Sequence, residues 1–355
     1  MQISRRNLIL AGAGIPILAS CATDITKLRD RPVGLLAKEL EVCSAAYAVL
    51  RAGMPTSPIS VSGCAGTTTQ ANAIFQAASL TKPVVAFAAL RLVLAGQLDL
   101  NAPTSRYLPN GYKHFQSVLH RLPSDAYDLV SASVLSQISV AQLLNHSSGL
   151  PNWSSRALSI ESKPGKHWSY SGEGFVLLQG VIEAVTGMHL SAYLDQQVFA
   201  PLGMADTSVV WRDAFTERVV NGRTSLGFRQ RTQFRSAVAA ASLYTTAADY
   251  SLFMSALLAN VPLMSLTLAN PVEVDRPLGL QWGLGWGVEQ AQGGPYIWQW
   301  GNNPGFRAFA MASVTSKDGF VIFTNSDSGM PLAASVAQSV LPAADHSAFR
   351  FSWVA

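Results

Sequence analysis

Ser79 and Lys82 are the residues of this sequence whose types and spacing most directly suggest chemistry. They lie three positions apart in "QAASLTKPVVAFAAL", residues 76–90, where a long apolar run begins to look helical. Residues three apart share one face of a helix, so the hydroxyl and the amine can touch. A serine hydroxyl becomes a nucleophile beside a base, and a lysine is a base only when it is neutral. Burial in the apolar run would lower the lysine pKa towards that state. The pair therefore predicts a serine nucleophile with a lysine base, and the alternative is a helix cap followed by a surface lysine.

The elements that must position this pair predict an α+β fold. Short strands precede Ser79, and aromatic and β-branched segments return after about residue 278, while the chain between them looks helical and loop-rich. We therefore expect one antiparallel sheet built from both chain ends and flanked by helices, with an inserted, mostly helical region. The predicted division is a sheet domain, 22–98 with 278–355, and an inserted helical domain, 99–277. The clearest predicted helices lie at about 30–42, 138–145, 172–186, 246–259 and 331–341.

Residues 1–21, "MQISRRNLILAGAGIPILASC", have the pattern of an export signal. A basic pair, Arg5 and Arg6, precedes an apolar run that is too short to span a bilayer. The pair resembles a twin-arginine signal, and the ending at Cys21 resembles a bacterial lipobox, in which the cysteine is lipidated. Ala22, rather than an aspartate, follows that cysteine, which resembles lipoproteins that are sent on to the outer membrane. We expect a periplasmic protein held to a membrane through lipid, and the alternative is an ordinary cleaved signal peptide.

Two cysteines remain in the expected mature chain. Cys43 and Cys64 bracket a predicted pair of strands that folds back at about residues 53–55, so the two thiols could come close. An oxidising compartment would let a disulfide persist. The sequence leaves open whether the cysteines are bridged or buried as free thiols.

Charge and composition exclude several classes of function. The chain has 25 basic and 21 acidic residues, and loss of the export segment removes two of the basic ones. The resulting net charge of +2 is too small for a nucleic-acid footprint, so no nucleic-acid partner is expected. The histidines and cysteines show no metal-ligand spacing, and neither a metal nor a cofactor is expected.

Four segments in order strengthen the interpretation of the serine and lysine. They are "AASLTKP" (77–83), "ISVAQLLNHSSGLPNW" (138–153), a long segment at 163–209 that contains "YSG" (170–172), and "WQWGNNPGFRAFA" (298–310). Over about residues 35–340 the chain resembles the serine β-lactamase and penicillin-binding-protein superfamily. It is most similar there to class C β-lactamases and family VIII carboxylesterases. The resemblance implies the β-lactamase/transpeptidase-like form of the α+β fold.

The resemblance also implies roles for individual residues. Ser79 would be the nucleophile, Lys82 the base, and Tyr170 the residue that passes a proton to the leaving group. The backbone N–H groups of Ser79 and Asn302 would form the oxyanion hole. His146 is expected to be a structural neighbour of the site rather than the base.

Two departures from the family pattern bear on the substrate. Gly172 stands where related enzymes have an asparagine, and Gln299, in "QWG", stands where they have a lysine or histidine that helps to hold a carboxylate. Trp300 adds a flat apolar wall beside the expected oxyanion hole, with Gly301 next to it. These residues favour a neutral substrate, although Arg307 could restore a cation nearby.

The expected function is a secreted serine hydrolase, most simply an esterase of neutral esters that works through an acyl-enzyme. One alternative within the same chemistry is a β-lactamase or D-amino-acid peptidase acting on cell-wall material. Another, from a different class, is a non-catalytic protein that keeps the fold to bind a ligand. The expected partner is a small ester, amide or cell-wall peptide.

Overall fold

The structure is a computed structural model that describes residues 30–117, 119, 121, 124–343 and 345–354. The predicted export segment and the lipidation predicted at Cys21 lie outside the described residues. Among the described residues, no helix is long and apolar enough to cross a membrane by itself, and two sharply bent helix pairs would pass that test only together.

A nine-stranded antiparallel sheet forms the framework of the molecule. Its strands come from both ends of the chain, in the spatial order β10-β11-β12-β13-β14-β15-β1-β2, with β3 also paired to β1. The early strands are β1 (Ala45–Arg51), β2 (Met54–Pro55) and β3 (Ile59–Val61), and the late ones are β10 (Val272–Asp275), β11 (Leu280–Trp282), β12 (Gly287–Ala291), β13 (Gly294–Asn303), β14 (Phe306–Ser313) and β15 (Gly319–Thr324). The predicted sheet from two chain ends is thereby confirmed.

Three separate pairs of short strands lie outside this sheet. They are β4 (Phe75–Ala78) with β9 (Leu243–Thr245), β5 (Tyr112–Phe115) with β6 (Tyr127–Val130), and β7 (Gly222–Arg223) with β8 (Arg229–Gln230). The first pair carries the chain into the segment that holds Ser79.

Helices cover both faces of the sheet. They are α1 (Val33–Glu39), α2 (Thr81–Leu94), α3 (Ala132–Leu135), α4 (Val140–Leu144), α5 (Gly172–Thr186), α6 (Leu190–Leu194), α7 (Ala247–Ala259), α8 (Val261–Leu268) and α9 (Met330–Val340), with a π-helical turn at Asp195–Phe199. Helices α1 and α9 contribute to the hydrophobic core on one face, whereas α2, α5 and α7 contribute to the larger core on the other. Helix α2 is apolar almost all round, as expected for a helix inside the molecule.

The sequence placed several elements closely and missed others. Helix α5 has the predicted bounds of 172–186. The β5–β6 hairpin and α8 were not expected. Ser79 precedes α2 by two residues, so it lies in the turn before the helix rather than in its first turn. The division at 98 and 278 stays a prediction, and β10 begins before its second boundary.

Candidate active site

The turn that presents Ser79 is held from several sides. Ala78 has a left-handed φ of +50°, which bends the chain between β4 and α2 and leaves Ser79 partly exposed. The Thr81 hydroxyl donates to Ala78 O (2.6 Å) and accepts from Leu243 N (3.0 Å). Because a left-handed alanine costs on the order of 1–2 kcal/mol, these contacts must maintain the bend. The Ser79 side chain is therefore partly exposed, while the residues on either side of it are buried and hold it in place.

Lys82 reaches back from α2 to Ser79. Its Nζ donates to Ser79 Oγ (3.0 Å) and to Ala240 O (2.8 Å). The side chain is 1% exposed, and burial lowers the pKa of Lys82 well below its ordinary value. A lowered pKa favours the neutral amine, which can accept the serine proton. The contact predicted from the three-residue spacing is thus present, in the environment that a base requires.

Tyr170 brings a second proton-carrying group to the same place. Its hydroxyl is hydrogen-bonded to Ser79 and accepts from Gln299 Nε2 (3.3 Å). Lys82 Nζ lies 4.7 Å from the centre of its ring. Burial raises the pKa of Tyr170, so the phenol stays protonated. Ser79, Lys82 and Tyr170 are the three residues for which the sequence predicted catalytic roles, and the structure brings them together.

The ring of His146 packs against the ring of Tyr170. The two ring centres are 4.4 Å apart, and His146 Nδ1 accepts from the backbone N–H of Ser171 (3.1 Å). The imidazole is fully buried, and this burial lowers the pKa of His146 well below the ordinary value. The ring therefore stays neutral and packs against the site, in agreement with its expected structural place.

A buried ionic cluster holds the start of α5, the helix that follows Tyr170. His114 lies between Asp128 (Nδ1 to Oδ1, 2.7 Å) and Glu173 (Nε2 to Oε2, 3.4 Å), and Glu173 also accepts from Ser154 N (3.0 Å). Burial alone would lower the pKa of His114, but its hydrogen bonds with the two carboxylates raise it. No sequence motif indicated this cluster, because it joins residues far apart in the chain.

Gly301 lets strand β13 approach the serine turn. A Cβ at this position would lie 2.5 Å from Ala77 O and 3.3 Å from the Cβ of Ala78. The next residue, Asn302, is exposed and lies on the same edge. The close approach thus sets Asn302 beside the turn that carries Ser79, as an oxyanion hole shared by these two residues would require.

Gln299 and Gly172 face the protein interior rather than open space. Gln299 is fully buried, and its Nε2 donates to Trp300 O (2.8 Å) as well as to Tyr170, while its Oε1 has no partner among the described residues. A Cβ on Gly172 would lie 2.6 Å from Asn152 O and 2.9 Å from the Trp153 ring. The substrate-binding roles that the sequence analysis gave to these two residues stay predictions. Gln299 contacts Tyr170, and the Trp153 ring fills the space over Gly172.

A cavity of about 480 Å³ opens beside Asn302 and Trp300. Arg307 lines it, but its guanidinium is paired with Asp327 (2.9 Å) and also donates to the backbone oxygens of Asn303 and Phe306. Burial lowers the pKa of Arg307, an effect that the charge of Asp327 opposes. The positive charge of Arg307 is therefore neutralised by the carboxylate of Asp327. The described residues that line the cavity are Trp300, Asn302, Arg307, Asp327, Met330, Pro331, Ser352, Trp353 and Val354.

Sequence reasoning missed two of the lining residues that shape this cavity. Asp327 follows β15 and neutralises Arg307, and Trp353 comes from the segment after α9 to lie against Tyr170. Neither belongs to a motif, and each takes part through a contact between distant parts of the chain. The only available signal was an acidic residue near the end of a predicted strand, which is too common to be informative.

The two cysteines are joined in the structure. Cys43 and Cys64 form a disulfide, with their Cα atoms 4.6 Å apart. The bond links the start of the early strands to the loop after β3. The sequence left open whether the two cysteines are bridged or free, and in the structure they are bridged.

Comparison with known proteins identifies the same group of enzymes. The family model described as Beta-lactamase matches residues 39–345. Esterase EstB of Burkholderia gladioli is 32% identical over 176 residues, which make up 41% of this chain and 41% of that protein. Penicillin-binding protein 4* of Bacillus subtilis (strain 168) is 28% identical over 171 residues, 42% of this chain and 33% of that protein. The chain therefore spans less than half the length of these two curated relatives.

The fold also matches a solved structure. A class C beta-lactamase superimposes with a TM-score of 0.72 at 17% identity, covering 89% of this chain and 96% of the other. At this identity the likeness establishes the fold. It agrees with the β-lactamase/transpeptidase-like form expected from the sequence.

Proposed function

The chain belongs to the β-lactamase family, and on that premise we propose that it is a serine hydrolase that cleaves neutral esters through an acyl-enzyme on Ser79. The observation that carries the proposal is the contact of Lys82 Nζ with Ser79 Oγ at 3.0 Å, made by a lysine that is 1% exposed. A surface lysine that merely follows a helix cap would have no reason to be buried against a hydroxyl. This contact favours an enzyme over a non-catalytic binding protein.

The proposed reaction moves one proton from the nucleophile to the leaving group. Neutral Lys82 takes the proton of Ser79 as Oγ bonds to the acyl carbon, and the N–H groups of Ser79 and Asn302 stabilise the oxyanion. Tyr170 gives its proton to the leaving oxygen as the ester bond breaks, and it regains a proton from Lys82. Water then releases the acyl group by the same steps in reverse order. The lowered pKa of Lys82 suits the base, and the raised pKa of Tyr170 means that the phenol still holds its proton when the leaving oxygen needs it.

The preference for a neutral substrate rests on the charges around the cavity. An anionic substrate would need a free cation, but Arg307 is paired with Asp327, and Gln299 is a buried amide. Loss of one charge-assisted hydrogen bond costs about 1.5–3 kcal/mol, roughly a ten- to hundredfold loss in binding. A β-lactam or a terminal D-amino acid carries a carboxylate, whereas a short ester does not. The esterase is therefore favoured over the β-lactamase and the D-amino-acid peptidase, which remain the alternatives.

A panel of substrates separates these functions. Purified wild type should hydrolyse short p-nitrophenyl esters, with weak or no turnover of a chromogenic cephalosporin and of D-alanyl peptides. Ser79→Ala, measured in parallel, corrects for spontaneous ester hydrolysis. Faster turnover of the cephalosporin than of every ester would overturn the esterase proposal in favour of a β-lactamase.

We also propose that the protein is exported and anchored through a lipid on Cys21, on the outer membrane. The export pattern of residues 1–21 motivates this, and the Cys43–Cys64 disulfide is in keeping with an oxidising compartment. Cys21→Ala should move the protein from the membrane fraction to the soluble periplasm. If Cys21→Ala stays in the membrane fraction as wild type does, the lipid anchor is refuted.

A further inference from the structure

Trp353 is a large apolar side chain that is 47% exposed, yet it lies against the candidate active site. Its ring centre is 5.5 Å from that of Tyr170 and 6.1 Å from that of Trp300. Those two rings are themselves 4.7 Å apart. Trp353 and Trp300, from different parts of the chain, therefore both lie against the ring of Tyr170, the expected proton donor.

The segment that carries Trp353 is anchored, so the ring has a defined place. The carboxylate of Glu289 on β12 contacts His346 Nδ1 (2.7 Å) with one oxygen and accepts from Ala348 N (2.9 Å) with the other. Phe349 and Phe351 are each 4% exposed, and Phe351 packs between Trp298 and Trp300. A buried carboxylate and two buried rings thus fix the backbone on the N-terminal side of Trp353. A wall that is held before substrate arrives loses little conformational freedom on binding.

The cavity beside Trp353 combines an apolar wall with a balanced ion pair. Trp300 and Trp353 belong to the apolar part of its lining, together with Met330, Pro331 and Val354. Arg307 and Asp327 lie on the same lining as a pair of opposite charges. Its volume of about 480 Å³ lies within the usual range for small-molecule sites. A flat, uncharged group is the ligand that such a lining accommodates best, because it can lie on an aromatic face without needing a counter-ion.

The direction of proton transfer shows which part of the substrate meets these rings. Tyr170 can protonate the leaving oxygen only when that oxygen is within hydrogen-bond reach of its hydroxyl. The leaving group must therefore lie beside the Tyr170 hydroxyl, and the rings of Trp300 and Trp353 lie against the ring that carries this hydroxyl, with centres 4.7 and 5.5 Å away. We propose that Trp353 is a specificity-determining residue that selects esters with a flat, uncharged aryl leaving group. This inference rests on the ester hydrolysis proposed above.

The test compares two leaving groups on one acyl group. Phenyl butyrate and cyclohexyl butyrate present rings of similar size, one flat and one puckered. The ratio of their kcat/KM values is measured for wild type, Trp353→Ala and Trp353→Phe. Comparing ratios between variants cancels the different intrinsic reactivities of the two esters, and kcat/KM reports steps up to acylation. Trp353→Ala should lower the phenyl-to-cyclohexyl ratio roughly two- to tenfold, the effect expected from loss of one aromatic contact. Trp353→Phe keeps an aromatic ring, so its ratio should stay close to that of wild type.

Two controls separate this role from a general effect on the fold. Met54→Ala removes an apolar side chain that is 69% exposed on β2, which is separated from β13 by three strands, and it should leave the ratio unchanged. The ratio for phenyl acetate against phenyl butyrate should also be the same in wild type and Trp353→Ala, because the proposal places the leaving group, rather than the acyl group, beside Trp353. A change in the acyl ratio without a change in the leaving-group ratio would overturn the inference.

The remaining outcomes are equally distinct. Ester turnover with an unchanged leaving-group ratio in Trp353→Ala, or an equal loss for both butyrates, would overturn the role of Trp353 and leave the esterase proposal standing. Absence of turnover for every ester by wild type would overturn the esterase proposal, and the inference with it.

Discussion

Replacement of Lys82 by methionine should make the stability of the protein independent of the titration of this buried amine. Lys82 is 1% exposed, and burial lowers its pKa well below the ordinary 10.5. Methionine keeps a long unbranched side chain in the same space but cannot take up a proton. Activity should fall by roughly two to four orders of magnitude, as expected when a general base is removed.

The lowered pKa of Lys82 also sets how the free energy of unfolding depends on pH. Between the lowered folded pKa and 10.5 the unfolded chain holds a proton at Lys82 that the folded protein lacks, so wild-type stability rises with pH in this window. The slope is at most about 1.4 kcal/mol per pH unit for one group. Below the folded pKa both states are protonated, and the contribution is constant. The free energy of unfolding of wild type minus that of Lys82→Met should therefore increase as pH rises through the window.

Urea unfolding of both proteins at a series of pH values, with the disulfide intact, measures this difference. Groups common to the two proteins cancel in the subtraction. Lys166→Met removes an exposed lysine and is the matched control for loss of a positive charge. A difference between wild type and Lys82→Met that does not change with pH up to 10.5 would show that the Lys82 amine titrates alike in the folded and unfolded protein, which would refute the proposed neutral base.

Two further substitutions test the neighbours of the nucleophile. Gly301→Ala would set a Cβ 2.5 Å from Ala77 O, so it should push β13 away from the serine turn. Loss of one oxyanion donor costs about 10²–10³ in kcat, and kcat should fall towards that extent; activity equal to wild type would place the oxyanion hole elsewhere. Gln299→Lys should shift the ratio of cephalosporin to ester turnover towards the cephalosporin, measured side by side on one preparation, because it sets an ammonium where Gln299 Nε2 now contacts the Tyr170 hydroxyl. The shift should be absent in the matched neutral variant Gln299→Met, and its absence in Gln299→Lys as well would show that charge at this position does not set the preference. Adding Gly172→Asn is not a clean test, since its Cβ would lie 2.6 Å from Asn152 O.

Local patterns were sufficient to predict the parts of the site that depend on short spacings. Ser79 and Lys82 meet because they are three residues apart beside a buried helix, and α5 begins where the motif with Tyr170 ends. The sheet from two chain ends followed from where the β-branched and aromatic segments lie. Each of these features is decided by residues that are near one another in the chain.

The features that the sequence did not predict depend on contacts between distant segments. The Arg307–Asp327 pair, the burial of Gln299 against Tyr170 and the place of Trp353 arise only when several elements have packed together. The motif showed that Gly172 replaces an asparagine, but it did not show that the Trp153 ring lies over this position. Residue type and spacing indicate the chemistry of a site, whereas its walls are set by packing.

The central claim is that Ser79 is the nucleophile of an ester hydrolase, and labelling with a fluorophosphonate probe tests it most directly. Wild type is treated with the probe with and without an excess of p-nitrophenyl butyrate, and the labelled peptide is mapped by mass spectrometry. The account predicts one labelled site, Ser79, whose labelling slows in the presence of the ester and is absent from folded Ser79→Ala. A folded wild type that takes no label, or a label that persists in Ser79→Ala, would contradict it.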